Sequence, residues 1–85
     1  MEKFEHRQLL QIYEKIVRHG SNSKGVSTLC AINAEASFDG YTLSLWDDSG
    51  SVSLQFHNTI LSDFSSESAM YRFMKKLTAI NEDFE

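Results

Sequence analysis

Leu9, Ile12, Tyr13, Ile16 and Val17 recur at intervals of three and four, with Leu10 at the edge of the same sector, while Lys3, Arg7, Gln11, Glu14, Lys15 and Arg18 fall opposite. That spacing predicts an amphipathic helix over residues 5 to 19. Gly20 is expected to close it in the left-handed conformation, and Arg18 and His19 in the last turn suit the negative end of the helix dipole. Residues 20 to 25, GSNSKG, read as a flexible connector.

From there the period changes to two. Ile32, Ala34, Ala36 and Phe38 alternate with Asn33, Glu35 and Ser37; Tyr41, Leu43 and Leu45 with Thr42, Ser44 and Trp46; Val52, Leu54 and Phe56 with Ser53, Gln55 and His57. Three antiparallel strands are expected. Asp39-Gly40 suits a two-residue turn that pairs Phe38 with Tyr41, Ala36 with Leu43 and Ala34 with Leu45. Ser49-Gly50 is read as the second tight turn, pairing Asp48 with Ser51, Leu45 with Leu54 and Leu43 with Phe56. In this register every apolar alternate lands on one face.

Residues 59 to 64, TILSDF, read as a link, after which Asp63, Ser65 or Ser66 caps a second helix running to about Ile80. Met70, Phe73, Met74, Leu77 and Ile80 form its apolar face, with Phe84 extending the same line; Arg72, Lys75, Lys76 and Ala79 look outward. The expected fold is therefore α+β. It is a two-layer sandwich in the order α-β-β-β-α, a three-stranded antiparallel meander with both helices on one face and Tyr41, Leu43, Leu45, Val52, Leu54 and Phe56 beneath them.

Length and composition sharpen this picture. Eighty-five residues form one domain, 1–85, and an apolar fraction of 41% with six Phe, three Tyr and one Trp is enough for its core. A core this small leaves room for stabilisation by oligomerisation. The lone Cys30 excludes an internal disulfide, and MEKFEHRQLL has no charged-then-apolar leader. No apolar run approaches the ~20 residues that cross a bilayer, so a cytoplasmic protein without membrane contact is expected.

Charge is unevenly placed within the net of -4. Lys3, Arg7, Lys15, Arg18 and Lys24 outnumber Glu2, Glu5 and Glu14, whereas Glu35, Asp39, Asp47, Asp48, Asp63 and Glu67 occupy a middle that has no Lys or Arg between Lys24 and Arg72. Nucleic-acid binding needs a basic stripe, which this middle lacks. It either keeps a small sheet soluble or attracts a basic partner through salt-sensitive attraction.

Little points to catalysis. His6 and His19 stand about 20 Å apart along the first helix at about 1.5 Å per residue, His57 and Cys30 are isolated on strands, and no HxH, CxxC or HExxH occurs, so neither metal nor cofactor is expected. The GSNSKG loop has the wrong order for a phosphate cradle, since a helix precedes it and Lys24 comes before Gly25. His57 falls beside Thr42 and Ser37 with Glu35 one diagonal step away, but a flat sheet face neither excludes water nor supplies an oxyanion hole. Cys30 reads as a small, partly buried residue.

Trp46 is the residue that folding explains least. It alternates onto the face away from Leu43 and Leu45, among Asn33, Ser44, Ser53 and Gln55, where an anchor ringed by short polar side chains has the composition of an interface. The alternatives are a lone exposed aromatic or burial beneath a terminal segment such as Asn81 to Glu85. The candidate interaction residues are Trp46, Glu35, Ser44, Ser53, Gln55 and His57.

The segment FDGYTLSLWDDSGSVSLQFHN, residues 38 to 58, resembles a family of small uncharacterised bacterial proteins known only as a domain of unknown function. The resemblance rests on Phe38-Asp39-Gly40-Tyr41, Asp47-Asp48 and Phe56-His57-Asn58. It implies a small bacterial cytoplasmic protein and carries no catalytic residue, substrate or partner. The expected function is a non-enzymatic protein-interaction module, most simply a homodimer, otherwise the companion of another and basic protein. The alternative is a small-ligand-binding or weakly catalytic domain with a pocket near His57 and Asn58, joined by Tyr41.

Overall fold

A computed structural model describes residues 5–38, 40–55 and 59–84. The chain forms α1 (His6–His19), β1 (Ser21–Ser23), β2 (Val26–Leu29), β3 (Ile32–Ala36), β4 (Leu43–Asp47), β5 (Gly50–Gln55), β6 (Thr59–Phe64) and α2 (Glu67–Asp83). The fold is α+β as expected, with a sheet twice as wide. Six antiparallel strands follow one another in chain order, each bonded to the next.

Leu9, Ile12 and Ile16 of α1 and Phe73, Leu77 and Ile80 of α2 meet Ile32, Ala34, Leu45, Val52 and Leu54 of the sheet in one buried cluster. Both helices therefore lie on the same side. Lys15 ties them together near their C-terminal ends, its Nζ donating to the Asn81 carbonyl at 2.6 Å and to Asn81 Oδ1 at 2.9 Å. Ser66 caps α2 by accepting from the Ala69 amide at 3.1 Å, and Phe84 closes the helix, its ring 5.1 Å from that of His19.

Of the three additional strands, β1 and β6 lie in segments expected to be connectors, and β2 lies between the first of these and the first expected strand. The segment GSNSKG contains β1 and the turn into β2, with Lys24 and Gly25 both at positive φ (52° and 84°). Cys30 and Ala31 make the next two-residue turn at φ 53° and 68°, a left-handed pair with no glycine, asparagine or aspartate to announce it. Cys30 is accordingly exposed at a turn, not partly buried on a strand. TILSDF is no link. It is β6, paired with β5 over six residues.

Gly20 does not close α1 in the left-handed conformation. Its backbone is extended (φ -88°, ψ -176°), and a Cβ there would collide with the carbonyl oxygens of Thr28 and Ile16, so glycine is needed because β2 crosses close against the helix end.

Two register expectations meet different outcomes. Ala36 pairs with Leu43 and Ala34 with Leu45 as expected, but the ladder ends there, and Ser37 closes the loop by donating its amide to the Thr42 carbonyl at 2.7 Å. Phe38 and Tyr41 consequently leave the core; Tyr41 is 61% exposed. The next hairpin is displaced by two residues: Asp47 pairs with Gly50, Leu45 with Val52 and Leu43 with Leu54. The turn is Asp48-Ser49 because the Asp47 carboxylate accepts from the Ser49 amide at 2.7 Å and from its hydroxyl. Gly50 stays in the strand, where a Cβ would run into the Asp63 carbonyl and the Phe64 ring. A two-residue displacement leaves every side chain on its own face. Phe56, the remaining expected core residue, lies outside the described residues.

Phe73 is fully buried, and its ring packs on Phe64 at 5.2 Å between centroids. Phe73→Ala should cost about 3 to 5 kcal/mol, a large share of the about 5 to 10 kcal/mol such a domain holds. Ser66→Ala should cost about 1 kcal/mol. Thermal and urea denaturation followed by circular dichroism check both values.

Candidate functional site

The two-residue period that builds the core also builds the opposite face. Across β3 to β6, Glu35, Ser44, Ser53 and Leu61 stand in one row, and Thr28 of β2, Asn33, Trp46, Ser51 and Asp63 stand in the next. Gln55 follows Ser53 on the same side, opposite Thr59. Both helices pack on the other face, so among the described residues neither helix covers these side chains. The structure thus brings Trp46, Glu35, Ser44, Ser53 and Gln55 together on one surface. His57 lies outside the described residues.

Trp46 is half-buried between its neighbours and not beneath the chain terminus. Residues 67 to 83 continue as α2 on the helical side, and Phe84 packs there against the core. Its strand is held from below the ring: Thr28 Oγ1 donates to Asn33 Oδ1 at 2.8 Å, and Asn33 Nδ2 donates to the Trp46 carbonyl at 3.4 Å. Across the ladder the indole is flanked by Asn33 on β3 and Ser51 on β5, both short and polar. Leu61, 51% exposed, is a second apolar member of this face. Reading β6 as a link concealed it, although Ile60, Ser62 and Phe64 alternating with Leu61 and Asp63 carried the strand signal.

The acidic middle is not uniformly available. Asp47 turns toward α2 and meets Lys76 Nζ at 2.7 Å, with only 3% of its side chain exposed. The expectation that this carboxylate awaits a partner is overturned by a cation that is remote in sequence and close in space. Burial opposes ionisation of Asp47, but the hydrogen bonds from Lys76 and Ser49 outweigh it and hold the carboxyl below its ordinary range. Glu35 and Asp63 remain exposed on the sheet face, and Asp48 is exposed at the turn.

A depression between the helices is lined by Gln11, Glu14, Lys15, Arg18 and Asn81, and an apolar crevice under Leu9 and Tyr13 has no room for water. Both lie on the helical side, away from Trp46. Of the ligand-pocket residues expected near His57, Tyr41 stands exposed at its loop, and His57 and Asn58 lie outside the described residues. Among the described residues no group of three or more His, Cys, Asp or Glu is arranged to hold a metal ion, and no helix is long and apolar enough to cross a membrane.

Residues 4–85 match the family described as Protein of unknown function (DUF3081). The chain belongs to this family. No curated protein and no solved structure matches it. The family match spans both helices and the whole sheet, well beyond the strand segment that first carried the resemblance.

Asp47 makes the electrostatics testable. Because its folded pKa is depressed, its contribution is full above the unfolded aspartate value of about 3.9 and is lost as pH falls through the folded value. Asp47→Asn should destabilise the protein by about 1 to 2 kcal/mol at neutral pH. The difference from wild type should shrink as pH falls below the unfolded value and through the folded one. Urea midpoints measured from pH 7 downward check both.

Proposed function

We propose that this protein is a non-enzymatic protein-interaction module that self-associates, with two surfaces open to the role: the uncovered sheet face and the outer edge of the sheet. One observation carries the reading: among the described residues, one face of a six-stranded sheet, including Trp46 and Leu61, lies outside the hydrophobic core. Apolar anchors set among short polar side chains are the composition of interface centres. Glu35 and Asp63 give the same face a negative charge, which favours a basic partner and discourages nucleic acid.

The arrangement also supports a role without catalysis. Ser44, Ser51 and Ser53 lie on the sheet ladder beside a carboxylate, and among the described residues no helix covers that face to exclude water or aim donors at a developing charge.

Sedimentation velocity from about 10 μM to about 1 mM tests the reading, since a small interface associates weakly. The expected result is a mass that rises with concentration toward that of a dimer. Trp46, the single tryptophan, is a built-in reporter: a partner that covers the face should shift its emission to shorter wavelength. A protein that stays monomeric throughout this range does not self-associate.

A further inference from the structure

We propose that the outer edge of β6 joins two copies of this chain, strand to antiparallel strand, into one continuous sheet. This rests on the self-association reading and names its joint.

The direction of the edge groups follows from bonds inside the sheet. Ser37 donates to Thr42, so residues 37 and 42 are a bonded pair and bonded pairs recur at every second residue: Asn33 with Trp46, then Asp47 with Gly50 on the other side of β4. Carried across β5, the alternation bonds Ser51 to Asp63, Ser53 to Leu61 and Gln55 to Thr59. The main-chain N–H and C=O groups of Ile60 and Ser62 therefore point away from the sheet. The strand order ends at β6, and no further strand covers them.

The two sheet edges are not alike. β1 is three residues, Ser-Asn-Ser, all exposed. β6 is six residues in unbroken register, without the lysine, proline or bulge that blunts an edge against pairing, and it carries a half-exposed leucine.

Its sequence fits a second copy of itself. A two-fold axis normal to the sheet keeps both faces in place only if partners have the same parity, and the pairings that use most of β6 are those centred on Leu61 or on Ser62. Centring on Ser62 sets Leu61 against the partner's Asp63, an apolar group against a charge. Centring on Leu61 sets Leu61 against the partner's Leu61 and Thr59 against the partner's Asp63, a hydroxyl that donates to a carboxylate. The outward groups of Ile60 and Ser62 then exchange about four hydrogen bonds with those of the partner's Ser62 and Ile60. The leucines meet in the close, non-bonded type of pair, with Cβ atoms about 4.5 to 5.5 Å apart. The joined sheet would present both Trp46 side chains on one surface.

Amide hydrogen exchange by NMR reads this directly, alongside the sedimentation series. The Ile60 and Ser62 amides should exchange rapidly in dilute protein and slow by at least about tenfold at dimer concentrations, while exposed loop amides do not change. Ser62→Pro removes one outward donor without taking a bond from the β5 ladder, and it should shift the protein to monomer. Leu61→Lys should do the same by setting like charges face to face, whereas Trp46→Ala should leave the dimer intact; far-ultraviolet circular dichroism verifies the fold of each variant. A doubled mass with Ile60 and Ser62 unprotected, or a dimer lost in Trp46→Ala and kept in Leu61→Lys, overturns edge pairing and leaves self-association standing. A monomer at every concentration overturns both.

Discussion

Two helices can cover one face of a six-stranded sheet and no more, and the strict alternation of side chains across the strands decides which residues share that cover. Ile32, Ala34, Leu45, Val52 and Leu54 are under α1 and α2 because each stands an even number of residues along its strand, or directly across the ladder, from the next. The same constraint sends Asn33, Glu35, Ser44, Trp46, Ser53 and Leu61 to the other side. Core and uncovered face are thus two consequences of one period, and a one-residue slip anywhere in the ladder would exchange them.

The devices that hold this register sit at the strand ends. Asp47 fixes the β4–β5 turn with its carboxylate and anchors α2 through Lys76, so one side chain sets both a hairpin and the docking of a helix. Gly20 and Gly50 allow backbones to approach where a Cβ would collide. Ser27, buried in the row of Ala34, is satisfied by donating to Asn22 on β1, which gives the short first strand a structural purpose. Each device acts at a point where pairing alone leaves the register free to move.

How far the sequence could be read depended on how local each signal was. The helices were legible because their faces repeat within a single segment, and Ser66 was already among the residues expected to cap α2. The β3–β4 register was legible because alternation on both strands agreed with one short loop. The β4–β5 hairpin offered two turns, Ser49-Gly50 and Asp48-Ser49, that preserve the same faces, and hydrophobic pattern cannot distinguish registers two residues apart. β1, β2 and β6 escaped notice for separate reasons: Ser-Asn-Ser has weak strand propensity, Cys30-Ala31 lacks the residues that favour positive φ, and Leu61 breaks an apolar alternation by pointing outward. Of the candidate face, Trp46, Glu35, Ser44, Ser53 and Gln55 were found from parity alone, whereas Leu61 and Asp63 were not.

By itself, therefore, the sequence determined the two amphipathic helices, the antiparallel strands at the centre of the sheet, the division of their residues between two faces and the segregation of charge, because all of these are properties of neighbours along the chain. Only the tertiary structure decided the width of the sheet, the removal of Asp47 from the acidic surface by Lys76, the exposure of Tyr41 and Phe38, and which strand ends the sheet with unpaired groups. Those depend on contacts between segments far apart in sequence, and the free energy that settles them is gained only when the layers close on each other.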